Sequence, residues 1–284
     1  MNEILNIDHP RLVKDVYQSL QDDLGSGDIT SDLVSVDATM MARLITREPG
    51  IVCGIPWFNE VFNQVDSQVS LKWCVLEGER VTSNQVLVEV AGLARSILSA
   101  EREALNWLQI LSGVATRSSQ YVDKVRGFSV HVLDTRKTLP GMRYPQKYAT
   151  SIGGVKNHRM GLYDAFLIKE NHIASCGSIE NAIAQAKYLY PGKTVEVEVE
   201  NEFQLVEALN NGADIIMLDN FTLESMRYAV KRVNKKALLE VSGNVSLETI
   251  KDIAQTGVDF ISVGSITKHV TAMDLSLRFV SEDT

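Results

Sequence analysis

From residue 130 onward the chain alternates between two patterns. Short apolar runs of strand length, VHVLDTRK (130–137), AFLIKENH (165–172), TVEVEVEN (194–201), DIIMLDN (214–220), LLEVSGN (238–244) and FISVGS (260–265), each break off in polar residues or glycine. With Asp134, Lys169, Glu198, Asp219, Ser242 and Gly264 as their ends, the steps are 35, 29, 21, 23 and 22 residues. Between most of them lies a stretch with helical periodicity and its own cap, such as SIENAIAQAKYLY (178–190), TLESMRYAVKRVN (222–234) and SLETIKDIAQTG (246–257). Strand, helix, strand at this period predicts a parallel α/β array.

Before residue 112 the rhythm differs. REPGIVCGI (47–55) and WCVLEGERVTSNQVLVEVAG (73–92) read as short strands separated by Gly, Asn and Ser turns. PRLVKDVYQSLQDDL (10–24), with Pro10 suited to a first turn, and SAEREALNWLQILSGVAT (99–116), with Ser99 as N-cap, read as flanking helices. The expected organisation is an N-terminal α+β sandwich domain over 1–112, joined by a C-terminal helix at 272–284, and a catalytic α/β domain over 113–271.

An open sheet concentrates its chemistry at one switch point, whereas a barrel gathers the ends of many strands around one mouth. All six strand ends here carry polar or phosphate-compatible residues, which favours an incomplete TIM-like α/β barrel, short by a strand or two. Alternation in VEVEVE puts Val195, Val197 and Val199 on one face and Glu196, Glu198 and Glu200 on the other. In a barrel those glutamates point inward, where buried carboxylates need cations or a metal. Lys137 and Lys169 from earlier strand ends are the candidates to supply the charge.

Composition narrows the class. The 284 residues are 45% hydrophobic, enough for a packed core. MNEILNIDHPRL lacks the basic-then-apolar order of a signal peptide, and no apolar run has membrane-spanning length. Cys53, Cys74 and Cys176 are odd in number and without a CxxC pair, so they read as reduced thiols of a cytoplasmic protein. The net charge of −8 argues against a nucleic acid partner, yet residues 131–172 hold seven Lys or Arg against three acids and three of the five histidines. A basic island in an acidic chain points to a small anionic ligand.

Within that island Arg136, Lys137, Arg159 and Lys169 are the candidate anion ligands, the arginine fork matching a carboxylate or phosphate at two points. His158 and His172 are spaced from one another and from cysteine in no usual zinc pattern. Asp219 opposite Glu198 would help hold Mg²⁺ through water, because that ion takes a few carboxylates plus phosphate oxygens. Gly243 and Gly264 follow late strands and precede helices, the recurrent place for a phosphate nest. From residues alone this is a barrel enzyme for a substrate bearing phosphates and carboxylates.

Taken together, GDITSDL (27–33), ILSAEREALNWLQILSGVAT (97–116), DTRKTLPGMR (134–143), QKYA (146–149), NHR (157–159), LIKENH (167–172), EVE, LDN, SGN and VGSITKH (263–269) resemble the quinolinate phosphoribosyltransferase family over nearly the whole chain. The resemblance implies the reaction of quinolinate with phosphoribosyl pyrophosphate to give nicotinate mononucleotide, pyrophosphate and CO₂, a step of NAD synthesis. It implies Arg136, His158 and Arg159 as the clamp for the quinolinate carboxylates, with Lys169 beside them. Arg102 would join them from the neighbouring subunit of a homodimer, with higher assembly left open. Lys137, Lys169, Glu198 and Asp219 would be catalytic, the two acids facing the ribose and the Mg²⁺–pyrophosphate. Ser242, Gly243, Asn244, Gly264 and Ser265 would receive the 5′-phosphate. Lys268 stands where many members carry His, and Asn244 where a second Gly is frequent.

Two other classes compete. A phosphoribosyltransferase-like protein associated with molybdenum transport shares the barrel and would differ in its acceptor pocket. A barrel aldolase would use Lys137 or Lys169 as a Schiff-base lysine.

Overall fold

The computed structural model describes residues Pro10–Val280, so the amino-terminal segment read above for a signal peptide lies largely outside the described residues. The chain forms two compact units, one of residues up to 118 with 145–154 and 270 onward, the other of 119–144 and 155–269.

The first unit is built on a four-stranded sheet. Its strands are β1 (Thr39–Thr46), β3 (Ser70–Trp73), β5 (Val86–Leu93) and β12 (Leu275–Phe279), in the order β12-β1-β5-β3, all neighbours antiparallel. A second ladder pairs β2 (Gly50–Ile51) with β4 (Arg80–Val81). Helix α1 (Pro10–Leu24) buries Leu12, Val16 and Leu20, one residue per turn on a single stripe. Helix α2 (Ile55–Val65) buries Trp57, Phe58, Val61 and Phe62 by the same spacing. The Trp57 ring stacks 6.2 Å from Trp107 and tilts 5.1 Å from Tyr148, which anchors the aromatic core.

Three expectations need correction here. The segment 272–284 is not a helix: Leu275–Phe279 is β12, pairing Ala42 with Phe279 and Thr46 with Leu275 along the outer edge of β1, while 281–284 lie outside the described residues. LSLRF has strand alternation, and only the open edge of β1 gives it partners. Ser99 is not an N-cap, because helix α3 runs unbroken from Ala94 to Lys124, and its hydroxyl instead donates to Asp28 Oδ2 at 2.8 Å. The change of pattern at 112 therefore falls inside one helix, and α4 (Arg143–Ile152) belongs mostly to the first unit.

The second unit contains all six strands read from the apolar runs: β6 (His131–Leu133), β7 (Phe166–Ile168), β8 (Val195–Val199), β9 (Ile215–Asp219), β10 (Leu238–Ser242) and β11 (Phe260–Ser262). They are parallel, in the order β6-β11-β10-β9-β8-β7, so the first strand pairs with the last and the sheet curls toward closure. Between β6 and β7 there is no ladder among the described residues; Leu133 at the end of β6 forms an isolated parallel bridge with Lys156, ahead of β7. The barrel is incomplete there. Helices α5 (Glu170–Cys176), α6 (Ile179–Leu189), α7 (Glu202–Asn210), α8 (Leu223–Val233) and α9 (Ile250–Ala254) fill the crossovers from β7 to β11, and α10 (Ser265–Lys268) follows β11. Ser178, Asn201 and Thr222 cap α6, α7 and α8 by accepting backbone N–H groups, as their sequence positions suggest. Helix α9 begins only at Ile250, so Gly243 is followed by a turn and not directly by a helix. Among the described residues no helix is long and apolar enough to cross a membrane, and the three cysteines are free.

Candidate active site

The inward face of the barrel is set by the alternation of its strands. On β8, Val195, Val197 and Val199 are fully buried beneath the helices, while Glu196 and Glu198 turn to the interior and Glu200 emerges into solvent beyond the strand. Register places Glu198 opposite Met217 on β9, and Met217 opposite Glu240 on β10. Asp219 follows Met217 by two residues and so shares its face.

Two adjoining cavities open over this face. One, of about 280 Å³, is lined by Arg136, Lys137, His158, Arg159, Lys169, Glu198 and Glu240 among others. The other, of about 510 Å³, is lined by Lys137, Asp219, Ser242, Gly243, Asn244, Gly264, Ser265 and Lys268. Thr135, Lys137, Ser242 and Ser262 border both, so Lys137 lies at the junction. Every second-unit residue expected in the site lines one cavity or the other. Arg102 is an exposed residue of α3 in the first unit and lines neither.

Local contacts hold these side chains. Asp134, the first polar residue after β6, is fully buried: its Oδ1 accepts the His158 backbone N–H at 2.8 Å and its Oδ2 the Asn157 amide at 2.7 Å. It ties the NHR segment to the end of β6. Arg143 donates to the Arg136 carbonyl, and Thr267 Oγ1 to the Lys137 carbonyl at 2.7 Å. Ser265 Oγ lies 3.1 Å from the Tyr121 hydroxyl. His172 serves helix α5, its Nδ1 accepting the Lys169 backbone N–H at 3.0 Å.

Electrostatics divides the site. In the smaller cavity, burial and the charge of Arg136 both hold the Arg159 guanidinium below its ordinary value, and Arg136 Nε is buried with no hydrogen-bond partner. Two like charges held together with an unmet donor are costly unless an anion completes them. Lys169 Nζ donates to Glu198 Oε2. An amine held by that carboxylate is not free to attack a carbonyl. In the larger cavity, Asp219 Oδ2 accepts from Asn220 Nδ2 at 2.8 Å. Gly243 has φ +97°, and a Cβ there would stand 2.5 Å from Asn220 Oδ1, so only glycine fits.

Beneath the first cavity lies a trio missed by the reading of single strands. His158 Nε2 is 3.1 Å from Glu196 Oε2 and 3.5 Å from Glu240 Oε2, and both glutamates are buried. The signal for Glu240 was present: LLEVS alternates as VEVEV does, with Leu239 and Val241 buried on the other face.

A family model for the quinolinate phosphoribosyl transferase C-terminal domain matches residues 114–278, and one for the N-terminal domain matches 28–112. The chain belongs to the quinolinate phosphoribosyltransferase family. As a member it is an enzyme of the pentosyltransferase class. A probable carboxylating nicotinate-nucleotide pyrophosphorylase of Synechocystis is 38% identical over 269 residues, covering 93% of this chain and 91% of that one. The Mycobacterium leprae nicotinate-nucleotide pyrophosphorylase is 40% identical over 271 residues, covering 92% and 95%. The solved structure of the Francisella tularensis nicotinate-nucleotide pyrophosphorylase superposes with a TM-score of 0.96 at 46% identity, covering 99% of this chain and 100% of that one. Family membership displaces the aldolase reading, and relatives of these names over nearly the whole chain favour the carboxylating pyrophosphorylase over the molybdenum-associated protein.

Proposed function

We propose that the protein transfers the phosphoribosyl group of phosphoribosyl pyrophosphate to quinolinate, releasing pyrophosphate and CO₂ and forming nicotinate mononucleotide for NAD synthesis. One observation carries the acceptor assignment: Arg136 and Arg159 repel one another across a cavity that also holds an unmet guanidinium N–H. A dicarboxylate answers both arginines at once. Arg102 of a partner subunit in a homodimer would complete the clamp, with His158 beside it. Ser242, Gly243, Asn244, Gly264 and Ser265 form the seat for the 5′-phosphate, with Lys268 at the edge of the same cavity. The cysteine pattern suits a reducing cytoplasm.

Glu198 and Asp219 come from adjacent strands and share a face, and two hard carboxylates leave the remaining coordination to pyrophosphate and water, as Mg²⁺ prefers. When bound, the ion neutralises the departing pyrophosphate. Glu198 faces the positive charge that develops on the ribose, and Lys137 lies between the two substrates. The pyridine nitrogen bonds to the anomeric carbon as the bond to pyrophosphate breaks. The ring nitrogen is then cationic and draws the electrons of the C2–carboxylate bond into the ring. CO₂ leaves, and C2 takes up a proton.

Nicotinic acid, which lacks the second carboxylate, tests the clamp. Its kcat/KM should fall at least about 100-fold below that of quinolinate, because one acid leaves part of the half-buried arginine pair unanswered. Comparable values for both acids would end the dicarboxylate reading.

A further inference from the structure

We propose that Arg143, which lies outside the cavity, sets the spacing of Arg136 and Arg159 by bracing the main chain beside each, and so fixes the preference for an acceptor with two acid groups. Arg143 is a positioning residue, since it acts through the two clamp arginines and not on the substrate. The inference rests on the quinolinate reading and deepens it.

Arg143 is the first residue of α4, and its guanidinium reaches back to the segment that leaves β6. Nη2 donates to the Arg136 carbonyl at 3.3 Å, and Nε to Thr138 Oγ1 at 3.3 Å. Nη1 donates to the Met160 carbonyl at 3.4 Å. Met160 directly follows Arg159, so one planar fork joins the chain at Arg136 to the chain at Arg159. Each bond is long by itself, but the rigid plane of the guanidinium makes the three act together.

The clamp needs a brace of this kind. Arg136 and Arg159 are like charges at one cavity, and they repel one another whenever no anion lies between them. Arg143 holds the main chain and leaves both clamp side chains for the ligand. Arg136 Nε stays without a partner, and Arg159 places only Nη1 on a backbone acceptor, the Ala165 carbonyl at 3.2 Å. Further bonds fix the same turn: the Met160 N–H donates to Asp164 Oδ2 at 2.6 Å, and Asp134 holds Asn157 and His158. Arg143 itself is turned to oxygens of the protein and lines neither cavity. The result is a pair of cations held at one separation before the acceptor arrives.

Lys137 has separate anchors. Its carbonyl accepts from Thr267 Oγ1 at 2.7 Å, and its N–H donates to Thr135 Oγ1 at 3.0 Å. Loss of Arg143 should therefore be felt by the acceptor and not by the phosphoribosyl donor. A lysine at this position keeps the charge but offers one ammonium, which cannot span three acceptors on two segments.

Steady-state kinetics of Arg143→Ala and Arg143→Lys, with Tm recorded for each, tests this. Arg143→Ala should raise the KM for quinolinate about tenfold, with the KM for phosphoribosyl pyrophosphate within about twofold and kcat within about threefold of the parent. The preference for quinolinate over nicotinic acid, as a ratio of kcat/KM, should shrink about tenfold, because only the two-acid substrate depends on the spacing. Arg143→Lys should show the same pattern, with a rise in quinolinate KM of at least about threefold. A merely structural arginine would lower Tm while both KM values and the preference stayed as in the parent or moved together, and that result overturns the proposal. A lysine variant equal to the parent also overturns it, because charge and not the fork would then suffice. If the alanine variant does not fold, the lysine variant decides by the same criteria; if neither folds, Arg143 belongs to the fold and the proposal fails. A parent that does not turn over quinolinate would end the quinolinate reading itself, whereas an active parent with unmoved variants ends only the role of Arg143.

Discussion

Glu198 reaches the cavity already paired with Lys169, and this pairing shapes what its replacement should do. Glutamine keeps the size and one hydrogen-bond acceptor for Lys169 but removes the charge that faces the developing ribose cation. Glu198→Gln should therefore bind quinolinate with a KM within about threefold of the parent and lose roughly 100-fold or more in kcat. A rise in KM alone would make Glu198 a binding residue. Glu240 has a different signature, in stability. Its carboxyl is raised from 4.5 to about 8 in the folded protein. Below about pH 4.5 folded and unfolded states are both protonated there, and the group adds no pH dependence. As the pH rises from there to about 8, the unfolded chain ionises and the folded one does not, so the unfolded state binds fewer protons and stability falls. Glu240→Gln removes this slope. Denaturation of the two proteins at several pH values should show the variant gaining on the parent across that window, on the order of a few kcal/mol. Parallel curves would mean that Glu240 titrates normally.

Helix α3 shows how one element can cross a boundary drawn from pattern. It runs for 31 residues, and the tail of the chain packs against it closely: Met273 N donates to the Gln109 carbonyl at 3.0 Å. At Gly113 a Cβ would stand 2.0 Å from the Thr271 carbonyl oxygen, so a methyl group there must displace backbone. Alanine normally strengthens a helix, yet Gly113→Ala should destabilise the protein by about 2 kcal/mol or more, seen as a fall of several degrees in Tm. An unchanged or higher Tm would show that the tail does not pack against α3 in this way. The strand reached by that tail, β12, was misread as a helix because five residues of mixed polarity carry little signal without a partner edge.

At the scale of the whole molecule, the open question is which chain supplies Arg102. If it reaches into a partner's site, Arg102→Ala and Lys137→Ala should each be nearly inactive alone. Random reassociation makes about half of all dimers hybrids, each with one intact site and one doubly altered site, so roughly a quarter of parent activity should return. With subunit exchange confirmed independently, no recovery would assign Arg102 to its own chain.

The sequence by itself determined the six barrel strands, most of their capped helices and the cations at their ends, because these are local: period-two alternation, N-caps and polar strand ends are written in consecutive residues. The inward direction of Glu196 and Glu198 was equally legible, since alternation on a single strand decides it. Only the tertiary structure decided that β6 closes onto β11 and that Asp134 faces the NHR segment and not the ligand. Those facts depend on residues brought together from distant parts of the chain. So does the trio of His158, Glu196 and Glu240, contributed by a loop and two strands that are not adjacent in the sheet. No run of sequence could announce that these three side chains meet.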